Sequence, residues 1–356
     1  AGRLETPFEH RPVACRHGIT LFVRGKSMNI TIVGDGGWGT AIGLLLHGYG
    51  HRVTLWGPFA AYLDEIRARR ANTRYLPGIT LPDDLRWCAD PAEAAASAEA
   101  VVLAVPSKFY ATVCATFAGL IPADTLVVSL TKGLCESTHC RMSEIARSTL
   151  GLNAIAVLSG PSHAEEVARG IPTAVVAAAE DESVAQRVQQ LFSGPLFRVY
   201  TSTDVLGVEI GGAVKNVIAI AVGASDGLGF GDNTRAALIT RGLAEITRFG
   251  IALGARPETL SGLSGIGDLI VTCTSRHSRN HSVGERLGRG ESIEAILSSM
   301  KMVAEGVWNA KVIHTLGQTR GVEMPITDIV YALCYEGFSA RTAVETLMTR
   351  DMKPEA

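Results

Sequence analysis

The chain has no uninterrupted apolar run of the roughly 20 residues that a bilayer-spanning helix needs, so no membrane span is expected. Its most membrane-like stretch, residues 92–105, is broken by Glu93 and Glu99 and closed by Pro106. A surplus of either charge is also missing, since 33 lysines and arginines face 35 acids and leave a formal net charge of -2. Without a global attraction to polyanions, nucleic acid is not an expected partner, and any anion site has to be assembled locally. The seven cysteines (Cys15, Cys88, Cys114, Cys135, Cys140, Cys273 and Cys334) are odd in number and scattered. None has metal-knuckle spacing, Cys135 and Cys140 included, and no histidine or carboxylate set completes a zinc site. No metal is expected, and a reduced, cytoplasmic protein fits best.

What is present is enough chain for two domains of about 100–200 residues each. Residues 1–27 carry Arg3, Arg11, Arg16, Arg24 and Lys26 against only Glu5 and Glu9. A basic, acid-poor lead suits a transit peptide, but it has no amphipathic repeat. It reads as a tag or upstream extension outside the fold, with Met28 as the natural start.

From Met28 onward, short apolar runs alternate with longer helical ones. Strands are predicted at 29–33, 52–56, 100–105, 125–130, 154–158 and 173–178, and helices at 38–47 and 59–70. Continuous rather than alternating hydrophobicity means strands covered on both faces, hence a parallel sheet with right-handed crossovers. After Asp204 strand-like runs vanish. Helices are predicted at 205–222, 234–253, 291–298, 303–316, 326–335 and 340–348, with breakers at 254–257 and 321–325. The fold class is α/β: a Rossmann-like, doubly wound, mostly parallel sheet at 28–203 and an all-helical domain at 204–350.

Gly34-Asp35-Gly36-Gly37-Trp38-Gly39 follows the first strand and opens the first helix. In a dinucleotide-binding turn, Gly34 makes the tight turn and Gly36 admits the pyrophosphate to the backbone. Gly39 lets helix and strand pack closely, and the helix N-terminus supplies donors. An NAD-specific site usually adds an acid about 20 residues further on. Here the second strand ends in Trp56-Gly57-Pro58, so NAD or NADP is expected, with NADP permitted by the missing carboxylate.

The run 211–221 is helical in pattern yet holds two glycines and one charge, Lys215. Its helical neighbours Gly211, Gly212, Ile218 and Ala219 make an apolar, small-residue face. Desolvation there would move the lysine pKa from about 10.4 towards about 7–8, making it a proton donor or acceptor for an alcohol–ketone pair. A carboxylate partner would offset the cost. The glycines of 223–231 mark close backbone approach rather than a linker.

At these residues the sequence resembles the NAD-dependent glycerol-3-phosphate dehydrogenase family, in its bacterial type. Gly212–Asn233 resembles the family's signature, and residues 34–40 its cofactor loop. Further matches are 159–166, Thr131-Lys132-Gly133, Gly267-Asp268-Leu269, Ser278-Arg279-Asn280 and Val303-Ala304-Glu305-Gly306. Together they span about residues 28–350. One departure is Asp35-Gly36-Gly37, where relatives often carry Ala-Gly-Ser. An acid in a phosphate loop is harmless only if its side chain points away.

The resemblance implies hydride transfer between NAD(P)H and dihydroxyacetone phosphate, giving glycerol 3-phosphate for phospholipid synthesis. It also implies a homodimer and a small phosphorylated substrate. Lys215 becomes the general acid/base, with Asp268, in a Gly-Ile-Gly-Asp-Leu turn, as its carboxylate and Lys132 as a second catalytic ammonium. Arg279 and Asn280, in a polar loop, would hold the phosphate, the guanidinium bidentately. Gly160, Ser162, Asn216, Thr272 and Ser278 would complete the substrate site. Gly34, Gly36, Gly37, Trp38, Gly39, Ala164, Val303 and Glu305 would contact the cofactor, together with Lys132 and Arg279. His163 reads as a loop neighbour rather than the catalyst. The alternative is a β-hydroxyacid or ketopantoate reductase type of dehydrogenase. A non-catalytic NAD(P)H sensor would need an output surface, such as a basic DNA-reading helix, that the sequence does not display.

Overall fold

Runs of Val, Ile, Leu and Ala too short for helices become strands here, because each is sealed on both faces. The computed structural model describes residues 12–14, 20–22, 26–300, 302–352 and 354. Two short strands, β1 (Pro12–Ala14) and β2 (Thr20–Phe22), pair with each other and stand apart from the main sheet. The rest of the expected extension up to residue 25 lies outside the described residues.

The main sheet holds β3 (Asn29–Val33), β4 (Arg52–Trp56), β5 (Arg86–Cys88), β6 (Ala100–Leu103), β7 (Leu126–Ser129), β8 (Ile155–Ser159), β9 (Thr173–Ala178) and β10 (Phe197–Ser202). Their spatial order is β10-β9-β8-β7-β6-β3-β4-β5. All neighbours run parallel except β8 and β9. The chain winds outward from β3 through β4 to β5, then returns to β6 on the other side of β3. That reversal opens a crevice beyond the carboxyl ends of β3 and β6, where open α/β sheets bind ligands. β6 and β7 are buried at every position, which explains their continuous hydrophobicity.

Strands β5 and β10 were not expected. β5 is three residues of Arg-Trp-Cys. β10 alternates Phe197 and Val199 inward with Arg198 and Tyr200 outward, the pattern of an edge strand with one wet face.

Beyond β10 every regular element is helical. The centre is a 23-residue helix, Val205–Gly227, whose N-terminus is capped by Asp204 accepting from the Gly207 N–H at 2.9 Å. This helix corrects one expectation: with a mean hydropathy of 1.8 it is long and apolar enough to cross a bilayer. It is nevertheless 94% buried within the protein over its most apolar window, wrapped by Asp232–Leu253, Asp268–Thr274, Arg279–Gly288 and Glu305–Arg320. Its apolarity reflects burial on all sides.

Two further expectations are corrected. Asp268 was placed in a turn and Ser278-Arg279-Asn280 in a polar loop. Asp268 instead starts the helix Asp268–Thr274, directly after a single π-helical turn at Leu263–Gly267. Arg279 starts the helix Arg279–Gly288, with the Ser278 hydroxyl accepting from the His281 N–H at 3.2 Å as its cap. The second helix looks loop-like because Gly284 and Gly288 lower its intrinsic propensity. Both glycines serve contact instead. A Cβ on Gly284 would lie 2.0 Å from the Ile220 carbonyl oxygen, and one on Gly223 would lie 2.0 Å from that of His281. The two helices therefore meet backbone to backbone, the close approach read from the glycines of the long helix.

Candidate functional site

The crevice encloses about 220 Å³ and runs from the glycine turn to the N-terminus of Arg279–Gly288. At one end Gly34 adopts φ 127°, a conformation only glycine takes without strain, and its N–H donates to the Trp56 carbonyl at 2.9 Å. A Cβ on Gly39 would stand 2.1 Å from the Gly34 carbonyl oxygen, so the helix Gly37–Gly48 packs directly on the turn. Gly36, its N-cap, is the opposite case: a Cβ there would meet nothing within 4 Å, and no side chain caps the helix. Bare backbone donors therefore face open space at a positive helix end, which fits a dinucleotide pyrophosphate. Gly36, Gly37 and Trp38 line the crevice, while Gly34 and Gly39 form the buried frame beneath it.

In the floor lies a three-charge cluster. Lys215 and Asp268 are 4% and 1% exposed. Lys215 Nζ donates to Asp268 Oδ1 and, at 2.8 Å, to Thr272 Oγ1. Lys132, just beyond β7, donates to Asp268 Oδ2 at 2.7 Å and to the Gly160 carbonyl at 2.9 Å. Burial lowers the Lys215 pKa to about 7; Asp268 opposes the shift and the Lys132 charge adds to it. Burial on its own would raise the Asp268 carboxyl, but the two ammoniums hold it below its usual value. The aspartate is thus ionised, and Lys215 is the member poised to exchange a proton.

Several expected ligands line the crevice while also bonding to the protein. Thr272 was expected to offer its hydroxyl to substrate, but it donates to the Asp268 carbonyl at 2.6 Å while accepting from Lys215. Asn280 was expected to donate to phosphate. Its amide nitrogen donates to Asn216 Oδ1 at 2.8 Å, and its oxygen accepts from the Gly306 N–H at 2.9 Å. Asn216 in turn donates to the Gly212 carbonyl at 3.2 Å, so the two amides tie three helices together at the crevice wall. Ser162 donates to the Gly160 carbonyl at 2.8 Å. Gly160 itself does not line the crevice and contributes its carbonyl to Lys132.

Arg279 closes the far end. Its guanidinium is open to solvent entering the crevice yet surrounded by protein elsewhere, and this burial lowers its pKa against the pull of Glu305 and Glu165. Nη1 donates to the Val303 carbonyl at 2.9 Å, leaving its other donors for a ligand. Glu305 accepts from the Ser107 N–H at 2.9 Å and from the Ser107 hydroxyl. It thereby links the helix Glu305–Arg320 to the start of the helix Ser107–Phe117. Ala164, Ser278 and Val303 line the same space.

Every residue expected in the site, apart from Gly34, Gly39 and Gly160, therefore borders one crevice. Tyr75, Pro106, Glu165, Val271, His277 and Met302 also line it without having been expected. Glu165 lies inside the 159–166 match, while the others come from segments between motifs, and only their neighbours in the chain (Thr272, Ser278 and Val303 among them) could have pointed to them. His163 lines it too, and burial followed by the Lys215 charge lowers its pKa, keeping the imidazole neutral. Lys108 lies outside it, 4.5 Å from the Trp308 ring centre. Among the described residues no group of three or more metal-ligating side chains occurs.

Comparison with known proteins adds a second line of observation. Residues 29–185 match the family model for the N-terminus of NAD-dependent glycerol-3-phosphate dehydrogenase, and residues 204–345 the model for its C-terminus. The chain is 48% identical to glycerol-3-phosphate dehydrogenase [NAD(P)+] of Chlorobium phaeobacteroides over 331 residues, covering 92% of this chain and 99% of that protein. It is 46% identical to the Clostridium perfringens protein of the same name over 326 residues, covering 92% and 98%. The solved glycerol-3-phosphate dehydrogenase of Coxiella burnetii superposes with a TM-score of 0.87 at 38% identity, over 91% of this chain and 99% of that one. A ketopantoate reductase of Ralstonia eutropha reaches 0.59 at 17% identity, over 90% and 100%, and shares the fold.

Proposed function

The chain belongs to the NAD-dependent glycerol-3-phosphate dehydrogenase family, and from that premise we propose how its crevice carries out the reaction. It is an oxidoreductase that interconverts dihydroxyacetone phosphate and glycerol 3-phosphate with NAD or NADP. The observation that carries the reading is the buried Lys132–Asp268–Lys215 cluster between a bare-backbone glycine turn and a solvent-reachable guanidinium.

The glycine turn, with Gly36, Gly37 and Trp38 at its lip, would hold the dinucleotide, and Ala164, Val303 and Glu305, lining the same crevice, would contact it. When bound, the nicotinamide supplies or accepts the hydride at the substrate's second carbon. Lys215 manages the accompanying proton. Two of its three N–H bonds are spent on Asp268 and Thr272, and the third serves the substrate oxygen. Protonated, the cluster carries a net positive charge that stabilises negative charge growing on a carbonyl oxygen. After giving up the proton, Lys215 leaves a neutral Lys132–Asp268 pair, so neither state strands a lone charge. In the reverse direction the amine takes the proton of the hydroxyl. Lys132 holds Asp268 and the Gly160 turn in place beside the reacting atoms. Arg279 meets the phosphate dianion, and the paired amides of Asn216 and Asn280 hold its helix at the required distance.

On this reading residues 28–203 bind the dinucleotide and 204–350 the substrate. We further propose a cytoplasmic homodimer working in the reducing direction, supplying glycerol 3-phosphate for phospholipid synthesis. The free thiols at Cys88, Cys114, Cys135, Cys140, Cys273 and Cys334 suit a reducing compartment. Sedimentation equilibrium at micromolar concentration tests the dimer; a single species of one chain's mass would refute it.

The deciding experiment compares initial rates of NADH and NADPH oxidation with dihydroxyacetone phosphate, ketopantoate and small 3-oxoacids. Dihydroxyacetone phosphate should be preferred by orders of magnitude in kcat/KM. A preference for either other substrate would assign the crevice to a different reductase.

A further inference from the structure

Strand β4 ends at Trp56, is followed by Gly57-Pro58, and offers no carboxylate of its own. The fold delivers one to the same place from another segment. Asp35 follows Gly34, which turns the chain over the end of the sheet, and its side chain lies against Gly57. A Cβ built on Gly57 would stand 2.6 Å from Asp35 Oδ2 and 2.7 Å from its Cγ. Any larger residue at 57 would therefore expel the acid. The backbone of Asp35 is pinned as well: Asn72 Nδ2 donates to its carbonyl at 2.8 Å and to Thr40 Oγ1 at 2.8 Å, and Tyr62 holds Asn72 Oδ1 at 2.6 Å.

Asp35 Oδ2 is buried and has no hydrogen-bond partner in the protein. An unpaired buried acceptor is costly, and burial raises this carboxyl's pKa, its own backbone and Arg74 only partly opposing. The Asp35 side chain is partly exposed, and a ligand hydroxyl reaching it would supply the missing donor. In a doubly wound sheet, the end of the second strand beside the glycine turn is where the adenosine ribose of a dinucleotide lies. There a carboxylate accepts from the 2′-hydroxyl, whereas a cation accommodates a 2′-phosphate. The cation whose charge reaches Asp35 is Arg74. It is exposed and sits 5.1 Å from the Tyr75 ring centre and 5.9 Å from that of Tyr62. Its exposed guanidinium is screened by solvent.

We infer that Asp35 determines dinucleotide specificity, accepting from the adenosine ribose hydroxyls and repelling a 2′-phosphate, so that this chain selects NADH over NADPH. The inference rests on reading the crevice as a nicotinamide dinucleotide site. The missing carboxylate of β4 is replaced in space, from 21 residues earlier in the sequence.

The test is binding without substrate. The full chain is titrated separately with NADH and NADPH, and quenching of tryptophan fluorescence is followed, Trp38 lying on the crevice wall. The wild-type chain should bind NADH at least about tenfold more tightly than NADPH, the scale of one charge-assisted hydrogen bond. In Asp35→Ser that ratio should fall to near unity, with NADH weakened and NADPH strengthened. Asp35→Asn keeps an acceptor but removes the charge, so it should gain NADPH affinity while losing less for NADH. Equal or tighter NADPH binding by the wild-type chain overturns the inference, whatever the variants do. A preference unchanged in both variants overturns it while leaving the dinucleotide reading intact. Failure to bind either dinucleotide removes that reading and the inference together.

Discussion

At the scale of single residues, the proposed chemistry turns on one lysine, whose pKa burial lowers to about 7. Lys215 has a pKa near its useful value, about 7, and ketone reduction draws on the ammonium form. The kcat/KM for dihydroxyacetone phosphate should therefore fall as pH rises through about 7, while glycerol 3-phosphate oxidation should rise. Parallel profiles in the two directions would assign the proton step elsewhere. Stability runs the other way. The folded-state pKa lies below the value of an unfolded lysine, about 10.4, so the stability linked to this group is present above that pH. It is lost as pH falls through about 7. Lys215→Met leaves Asp268 paired with Lys132 alone. It should raise stability at pH 7 by about 1–4 kcal/mol and lower turnover by on the order of 10²–10⁴-fold, with dinucleotide binding retained. Chemical denaturation at pH 7 and pH 10 checks this, because the gain should shrink at the higher pH. For Arg279, the discriminating measurement compares dihydroxyacetone phosphate with unphosphorylated dihydroxyacetone. In Arg279→Ala the preference should drop by about 10²-fold or more, and an unchanged preference would move the phosphate to another residue.

At the scale of elements, site precision comes from two helices that touch through their backbones. Gly223 and Gly284 leave no room for even a methyl group between Val205–Gly227 and Arg279–Gly288. Gly284→Ala should cost about 1–3 kcal/mol or more of stability. It should also raise KM for the phosphorylated substrate, because the displaced helix carries Arg279 and Asn280. Thermal unfolding and steady-state kinetics on one preparation test both parts; an unperturbed KM in a destabilised variant would mean that the helix contact does not govern the phosphate site. The N-terminus of Gly37–Gly48 is the second such element. Its first-turn donors go uncapped by side chains, a cost that a bound pyrophosphate would offset.

Over the whole molecule, the crevice is a seam between a sheet and a helical bundle, closed by contacts that neither half makes alone. Lys132 reaches Asp268 across it, Glu305 reaches Ser107, and Glu209 accepts from Arg141 Nη1 at 2.9 Å and from Ser143 Oγ at 2.6 Å. A ligand lying along that seam binds only the assembled form. NADH at a hundredfold excess over its dissociation constant should therefore stabilise the fold by about 2.7 kcal/mol, seen as a rise in Tm. No shift at saturating dinucleotide would separate the glycine turn from cofactor binding.

Much of this was legible in residue order. Continuous apolar strands, a glycine turn in strand–turn–helix context and a lone lysine on a small-residue helix face point to an α/β sheet, a dinucleotide and a proton carrier. These signals are local, because strand burial, backbone turns and helical faces repeat over a few residues. Contacts distant along the chain were not legible. The sequence does not reveal that Thr272 and Asn280 spend their polar groups on protein. It does not show that Arg279–Gly288 is helical despite its glycines, nor that 205–227 is apolar through burial. Least visible was the carboxylate beside Gly57, supplied by Asp35. Residue types and their local spacing determined which chemistry this chain can perform. Only the tertiary structure decided which groups face the ligand, because hydrogen-bond partners and free space depend on segments that meet only when the chain is folded.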